Sequence, residues 1–387
     1  MRNVKIAKTF GSEIKEIMGL IRSTGKECYI VGGAVRDFLL GHKAFVDIDL
    51  TTSLSVESLI KIFKQNKIGF DDRAARYNCL IVSNQKKISL QITSFRKDIR
   101  TFGRSADVEL VQNIEEDAKR RDFTINAFYL SFNGEIIDPL GNLEDLNNKR
   151  LNFIGDPESR ITEDYLRILR FFRFIAVLDL KHNNIDSNYL PIIEKHINRI
   201  SELSYERVAI EIRKILLATS PSFSCKLMHK VGMYEKILGT YSEVQCLRVE
   251  SLEKRLKLTP CLVRRLLALE IQNPIPLMLK KEKKYYNQLS NLMKLDYNPD
   301  YLGYKVGVKA SLDVLVLKAV KDRSTSETKD IERIKKASKK VFPIKFSDVH
   351  PFTKSLDVTK EKINLMESIW IRSRFRASKE KLLGLLN

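Results

Sequence analysis

YIVGGAVRDFLLGHKAFVDIDL, residues 29–50, is the stretch on which the reading of this chain turns. It opens as an apolar strand, breaks at Gly32-Gly33, shows Arg36-Asp37 shortly after, and returns as a second strand. That second strand sets Asp47 and Asp49 between the apolar residues Val46, Ile48 and Leu50. Residues two apart in a strand share a face, so the two carboxylates project together. Held side by side they repel unless a cation lies between them. Oxygen ligands of this kind suit Mg²⁺, which binds through one or two carboxylates and completes its shell with phosphate oxygens. Two such ions can clamp the in-line attack of a 3′-hydroxyl on an α-phosphate. Taken alone, an Asp-x-Asp pair also fits an exposed edge strand with both charges in water. The glycines narrow the choice, because Gly32-Gly33 lets backbone approach a phosphate closely and Arg36 can pair with a triphosphate.

The bulk properties fit a protein that handles a polyanion. The chain has 387 residues, enough to bury the cores of two or more domains. Its 68 Lys and Arg against 48 Asp and Glu leave a net charge of +20. Such a field attracts RNA or DNA, with a basic surface kept for solubility as the plainer alternative. Five scattered cysteines form no Cys-x-x-Cys. Cys225 and His229 would share a helix face, but no second ligand pair completes a zinc site. The odd cysteine count predicts reduced thiols in the cytoplasm. Glu13 and Glu16 precede any long apolar run, so no secretory signal is expected, and the first dozen residues give little support to a mitochondrial presequence. No stretch approaches a membrane span, so no membrane association is expected. His42, His182, His196, His229 and His350 match no catalytic pattern.

The periodicity changes near residue 150. Before it, CYIVGGAV, FVDIDLTT, NCLIVS, KISLQITSF and GEIIDP read as strands. SVESLIKIFKQN reads as a helix opened by Ser55, with Leu59, Ile60 and Phe63 on one face. Beyond Pro157 strand signals almost vanish, and EDYLRILRFFRFIAVL, SYERVAIEIRKILLA, LVRRLLALEI and the tail from Val358 all read helical. The expected fold class is α+β: a head with a mixed sheet and helices over 1–150, a helical neck over 151–220, and a helical body and tail over 221–387.

These blocks, in the order VGGAVRD, DIDLTT, RRDFTINAFYL, DPESRITEDYLRILRFFRF and SYERVAIEI, resemble the class II tRNA nucleotidyltransferases, the CCA-adding enzymes, and their relatives the bacterial poly(A) polymerases. The resemblance runs from Tyr29 to Lys214. It implies a template-independent addition of C, C and A to the 3′ end of tRNA from CTP and ATP. A poly(A) polymerase of the same fold, or a tRNA-binding relative without turnover, are the alternatives.

The resemblance also implies residue roles. Asp47 and Asp49 would hold Mg²⁺, and Gly33, Arg36 and Arg121 would contact nucleotide phosphates. Asp122 and Asn126 are expected in the sugar pocket, with a helix cap as the alternative for Asp122. Asp164 and Arg167 in EDYLR would read the incoming base, the acid accepting and the guanidinium donating. Cytosine and adenine each show an amine donor beside a ring-nitrogen acceptor, whereas uracil and guanine show the reverse polarity. Three-residue spacing on a helix makes Asp164 and Arg167 neighbours. Arg170 can share their site. Arg173, after three such steps, falls nearly opposite Asp164 unless the helix bends. Glu206 and Arg207 are expected to brace the neck helices.

Three features depart from the family pattern. Gln91 stands where a carboxylate is usual, Arg76-Tyr77-Asn78 replaces a His-Gly-Thr turn, and Ser105 stands where a histidine is common, in a segment, 100–110, that the resemblance implies is the flexible loop linked to adding the terminal A.

Overall fold

A computed structural model describes residues 4–386 apart from 46, 84–88, 103–104, 296–297, 323–327 and 354. The chain forms two compact units, Met1–Ile237 and Leu238–Asn387. The expected change near residue 150 therefore falls inside the first unit, where head and neck pack together.

The first unit is built on a six-stranded mixed sheet in the order β3-β4-β2-β1-β7-β8. Its strands are β1 (Cys28–Val31), β2 (Asp47–Thr52), β3 (Cys79–Ser83), β4 (Ser89–Ser94), β7 (Tyr129–Ser131) and β8 (Ile136–Ile137). Only the β2–β4 pairing is parallel. Along β2, Ile48 and Leu50 are buried while Asp47 and Asp49 are open, the alternation of a strand with one covered face. The helix Val56–Gln65 starts at Ser55, whose hydroxyl accepts from the Ser58 N–H, and it buries Val56, Leu59 and Phe63.

Two features differ from the sequence reading. Among the described residues of 100–110, two strands stand in place of the expected loop: β5 (Arg96–Phe102) and β6 (Ser105–Leu110) pair antiparallel as a separate two-stranded sheet, with a register shift between Asp98 and Arg100. Lys97 and Glu109 stand at paired positions, an opposite-charge pairing that favours a ladder. β7 was not anticipated. It sits between β1 and β8, and the three-residue turn into β8, Phe132-Asn133-Gly134, ends on Gly134 at φ 87°, the left-handed position that glycine fills in such hairpins.

Beyond β8 the described residues contain no strand. Asp156 caps the helix Pro157–Glu163 by accepting from the Ser159 N–H at 2.8 Å, with Pro157 in the first turn. Asp164 then turns extended (φ −153°, ψ 104°) and a second helix, Leu166–Val177, follows. That helix is apolar apart from the side that carries Arg167, Arg170 and Arg173. Its Phe171 stacks on Phe153 at 6.0 Å within the neck, and its Phe174 meets Phe123 edge-on at 5.3 Å, which seats the neck on the head. The helix Tyr205–Leu217 packs against it.

The second unit is helical throughout its described residues. Its centre holds a buried charge cluster in which Glu253 accepts from Arg264 and Arg265, and Asp313 accepts from Arg264 and from the Tyr285 hydroxyl. Two acids against two bases leave the cluster neutral, which is what lets it be buried. Gly303, in the helix Pro299–Lys321, has no room for a side chain, since a Cβ there would lie 2.4 Å from the Ile334 carbonyl oxygen of the helix Thr328–Ala337.

Candidate active site

The first unit carries a cleft of about 1100 Å³ walled by head and neck. Asp47, Asp49 and Gln91 line it together. β2 and β4 place Asp49 directly beside Gln91, and β1 places it opposite Val31. Neighbouring strands lie about 4.8 Å apart, so the Gln91 amide and the Asp49 carboxylate share one face of the sheet. Asp49 is open to the cleft yet surrounded by its walls. That poor solvation raises its pKa, Arg121 pulls it back down, and Asp47 adds to the rise.

At the end of β1, Gly32 has φ 73° and ψ −131°, a conformation closed to residues with a Cβ. A Cβ at Gly32 would lie 3.5 Å from the Arg121 guanidinium and 3.9 Å from the Asp49 carboxylate. Gly33 opens the helix Gly33–Leu39 and also lines the cleft, but the backbone freedom is needed at Gly32.

Arg36 is buried. It donates to Asn126 Oδ1 at 2.7 Å and to Asp37 at 2.8 Å, and its guanidinium lies 5.1 Å from the centre of the Phe174 ring. Asn126 in turn donates to Asp122 at 3.0 Å, and Asp122 pairs with Arg170 at 2.8 Å. Asp122 is not a helix cap: it is the buried link between a head arginine and a neck arginine. Burial would raise its pKa, but the Arg170 charge, the Asn126 hydrogen bond and the Arg173 charge hold it below the usual range.

Arg121 donates to the Tyr129 hydroxyl at 3.0 Å and to Asp117 at 2.9 Å, and Arg120 donates to the other Asp117 oxygen at 2.8 Å. Asp117 has no exposed surface. Burial pushes its carboxyl up, yet the two guanidiniums and the Tyr129 hydroxyl prevail and hold it at about 2, against an ordinary 3.8. At about 1.4 kcal/mol per unit, that depression stabilises the fold by roughly 2 kcal/mol. Because the folded value lies below the unfolded one, this stabilisation is complete above pH 3.8 and is lost as the pH falls towards about 2. Asp117→Asn is therefore expected to lower the urea midpoint at pH 7 but hardly at all at pH 2. Equal losses at both pH values would show that packing, not the charge, is what the carboxylate supplies.

The neck wall corrects one expectation. Asp164 and Arg167 both line the cleft and the Arg167 N–H donates to the Asp164 carbonyl at 2.9 Å, but their side chains do not pair with each other. The three-residue rule assumes a continuous helix, and Asp164 sits in the break between two. Its carboxylate accepts from Leu166 N–H at 3.1 Å and pairs with Arg207 at 2.7 Å. Arg167 donates to Glu163 at 2.5 Å and to the Arg160 carbonyl at 2.7 Å. Arg207 thus braces Asp164 itself. No bend is needed for Arg173: on the unbroken helix Leu166–Val177 it lines the cleft with Arg170, bound to Glu211 at 2.9 and 3.0 Å. Burial, then repulsion from Arg170, lowers its pKa to about 10 despite Glu211.

Several participants escaped the sequence reading. Asp117, Arg120, Glu163 and Glu211 are the counter-charges of the site arginines, and no local signal separates them from surface charges. Lys214 lines the cleft from the helix Tyr205–Leu217. It shares its face with Glu211, three residues earlier, and that spacing was readable.

Comparison with known proteins matches this architecture. Residues 28–152 match the poly A polymerase head domain, and residues 184–243 match a probable RNA and SrmB-binding site of polymerase A. Over these two stretches the chain is similar to poly(A) polymerases. The chain is 34% identical over 233 residues to human mitochondrial CCA tRNA nucleotidyltransferase 1, covering 60% of this chain and 54% of that protein. It is 37% identical over 217 residues to the CCA-adding enzyme of Enterococcus faecalis, covering 55% of this chain and 51% of that one. The matched segment thus spans about half the length of these relatives. In fold, the chain superposes on the Bacillus stearothermophilus CCA-adding enzyme solved with CTP at a TM-score of 0.72 and 23% identity, over 97% and 96% of the two chains. The α+β head followed by a helical remainder is the fold shared with that enzyme.

Proposed function

We propose that this protein is a template-independent RNA nucleotidyltransferase that adds C, C and A to the 3′ end of tRNA, using CTP and ATP. The observation that carries the reading is the pair Asp47 and Asp49, side by side on one strand face in a cleft whose walls bear arginines from both head and neck. The relatives named above are CCA-adding enzymes, which supports the same substrates here.

The donor set fits a divalent cation, and we assign Mg²⁺ to it. Among the described residues no group of three His, Cys, Asp or Glu side chains converges, so no all-protein cage exists. Two carboxylates beside an amide oxygen suit an ion that takes its other ligands from phosphates and water. When bound, such ions favour the ionised 3′-hydroxyl and neutralise charge on the phosphates. The protein's own groups then position the reactants. Gly32 and Gly33 let a phosphate approach the backbone, Arg36 and Arg121 give the head wall positive charge, and Arg170 and Arg173 do so from the neck. Asp164 and Arg167 present an acceptor and a donor to the Watson–Crick edge of C or A. Arg207 and Glu163 hold them in place, which replaces a template with fixed side chains. We assign nucleotide chemistry to the head, 1–150, nucleotide selection to the neck, 151–220, and binding of the tRNA backbone to the basic helices of 221–387. The five free cysteines suit a reducing compartment such as the cytoplasm.

The test is to incubate the protein with tRNA lacking its last three nucleotides and to supply CTP, ATP and UTP singly and together. Products extended by CCA, with UTP refused, are expected. A long tail from ATP alone would make the protein a poly(A) polymerase, and no extension at all would leave only a tRNA-binding role.

Gln91 sharpens the metal assignment. Its amide can offer a carbonyl oxygen but no charge. A unit charge pair at about 4 Å is worth about 4 kcal/mol at an effective dielectric of roughly 20, before desolvation. Gln91→Glu is expected to lower the Mg²⁺ concentration for half-maximal nucleotide addition. Superimposed titration curves would exclude Gln91 from the metal's surroundings, and an inactive variant would mean that the site depends on the amide.

A further inference from the structure

The arginines of the cleft are each held by a carboxylate or a backbone carbonyl. Lys214 differs. It lines the same cleft, is accessible within it, and makes no hydrogen bond or ion pair with any described residue. Its neighbours leave it poorly placed to be idle. Arg170 and Arg173 lie close enough for their charges to act on it, and so do Asp47 and Asp49 from β2. A third cation set beside two guanidiniums is repelled by them, and Glu211 is already committed to Arg173. Like charges crowded in this way are stabilised when an anion enters between them and the facing wall.

We propose that Lys214 binds a phosphate of a substrate, gripping it from the neck while Asp47 and Asp49 face it from the head. The proposal rests on the nucleotidyl-transfer reading above. Lysine suits the task for a physical reason. An arginine locked in a two-point pair with a carboxylate presents a fixed fork, whereas an ammonium on a flexible stem is a movable point charge with three donors. It can follow a phosphate whose charge and position change as a triphosphate becomes pyrophosphate. The phosphate has two possible sources, the polyphosphate of the nucleotide or the terminal phosphodiester of the RNA, and one experiment separates them.

Lys214→Ala and Lys214→Arg are to be compared with the wild-type chain in three measurements. These are binding of sodium tripolyphosphate by calorimetry, binding of tRNA lacking its last three nucleotides at several salt concentrations, and steady-state addition of CTP and ATP. Lys214→Ala is expected to weaken tripolyphosphate binding and to raise the KM for CTP and ATP, each by about tenfold, the loss of one charge-assisted hydrogen bond. Lys214→Arg should stay near wild type, and because the side chain is accessible the melting temperature should not move. If tRNA binding alone loosens, with its logarithmic salt slope shallower by about one phosphate contact, the phosphate gripped is that of the RNA. If neither affinity changes, even with a lower kcat, the proposal is overturned and Lys214 only balances the charge of Asp47 and Asp49. A wild-type chain that binds tripolyphosphate yet extends no tRNA would defeat the transfer reading while leaving the phosphate site standing.

Discussion

Asp49→Asn is expected to cut nucleotide addition by at least about a thousandfold, because several kcal/mol of transition-state charge stabilisation depend on the carboxylate pair and each 1.4 kcal/mol is about a factor of ten. The same change should leave the melting temperature unchanged or slightly raised. Asp49 is poorly solvated and stands beside Asp47, and both effects raise its pKa above the ordinary carboxylate value. A group whose charged form is disfavoured by the fold costs stability at neutral pH, and a neutral amide of the same shape relieves that cost. Rate and stability should therefore move in opposite directions or separately. Measuring single-turnover addition and thermal melting on the same preparation checks both. Turnover within tenfold of wild type would remove Asp49 from the chemistry.

The second large effect belongs to Asp122. The chain Arg36, Asn126, Asp122, Arg170 runs from head to neck through three contacts of 2.7, 3.0 and 2.8 Å. Asp122 also accepts from the Phe123 N–H at 2.9 Å. Asp122→Ala removes the middle of this chain. Breaking a buried pair costs about 3–5 kcal/mol, and the lower end applies because Arg170 keeps access to water. The freed arginines should also lose their aim, and displacements of about 1 Å at a reacting site can cost about a hundredfold in rate. Asp122→Asn retains both hydrogen bonds on the acid's inner oxygen but not the charge, so it should fall between. Denaturant melts together with the KM for CTP test the point. If stability drops while KM and kcat hold, the chain only fastens the two parts together and does not shape the nucleotide pocket.

How far the sequence could be read depends on what kind of contact set each feature. The strand carrying Asp47 and Asp49 was legible because alternation at period two needs no partner to be recognised. Gln91 was legible as a cleft-facing residue by the same alternation. Its place directly beside Asp49 comes from a parallel pairing whose register is not written in either strand alone. The hairpin of β7 and β8 was legible in Asn133-Gly134 and was passed over because the apolar run before it is so short. Residues 100–110 were read as a flexible loop because the family resemblance implies one there, and strand alternation in that segment was not weighed. The neck pairings were the least accessible. Spacing along EDYLR presumes an unbroken helix, and the break at Asp164 is stabilised by Arg207, forty-three residues away. Local propensity contains no trace of a contact that distant.

The sheet order has a bearing on how the protein is made. β1 pairs early with β2, Val31 against Asp49, but its other edge waits for Tyr129, and β2 waits for β4. During synthesis the two acidic residues therefore emerge on a ribbon with both outer edges unpaired, and the sheet closes only after nearly a hundred further residues have left the ribosome, counting from 31 to 129. Pairings so far apart in sequence form slowly and leave strand edges open to other chains in the meantime. The head is thus the part of this protein whose yield should depend most on chaperones and on the pace of translation.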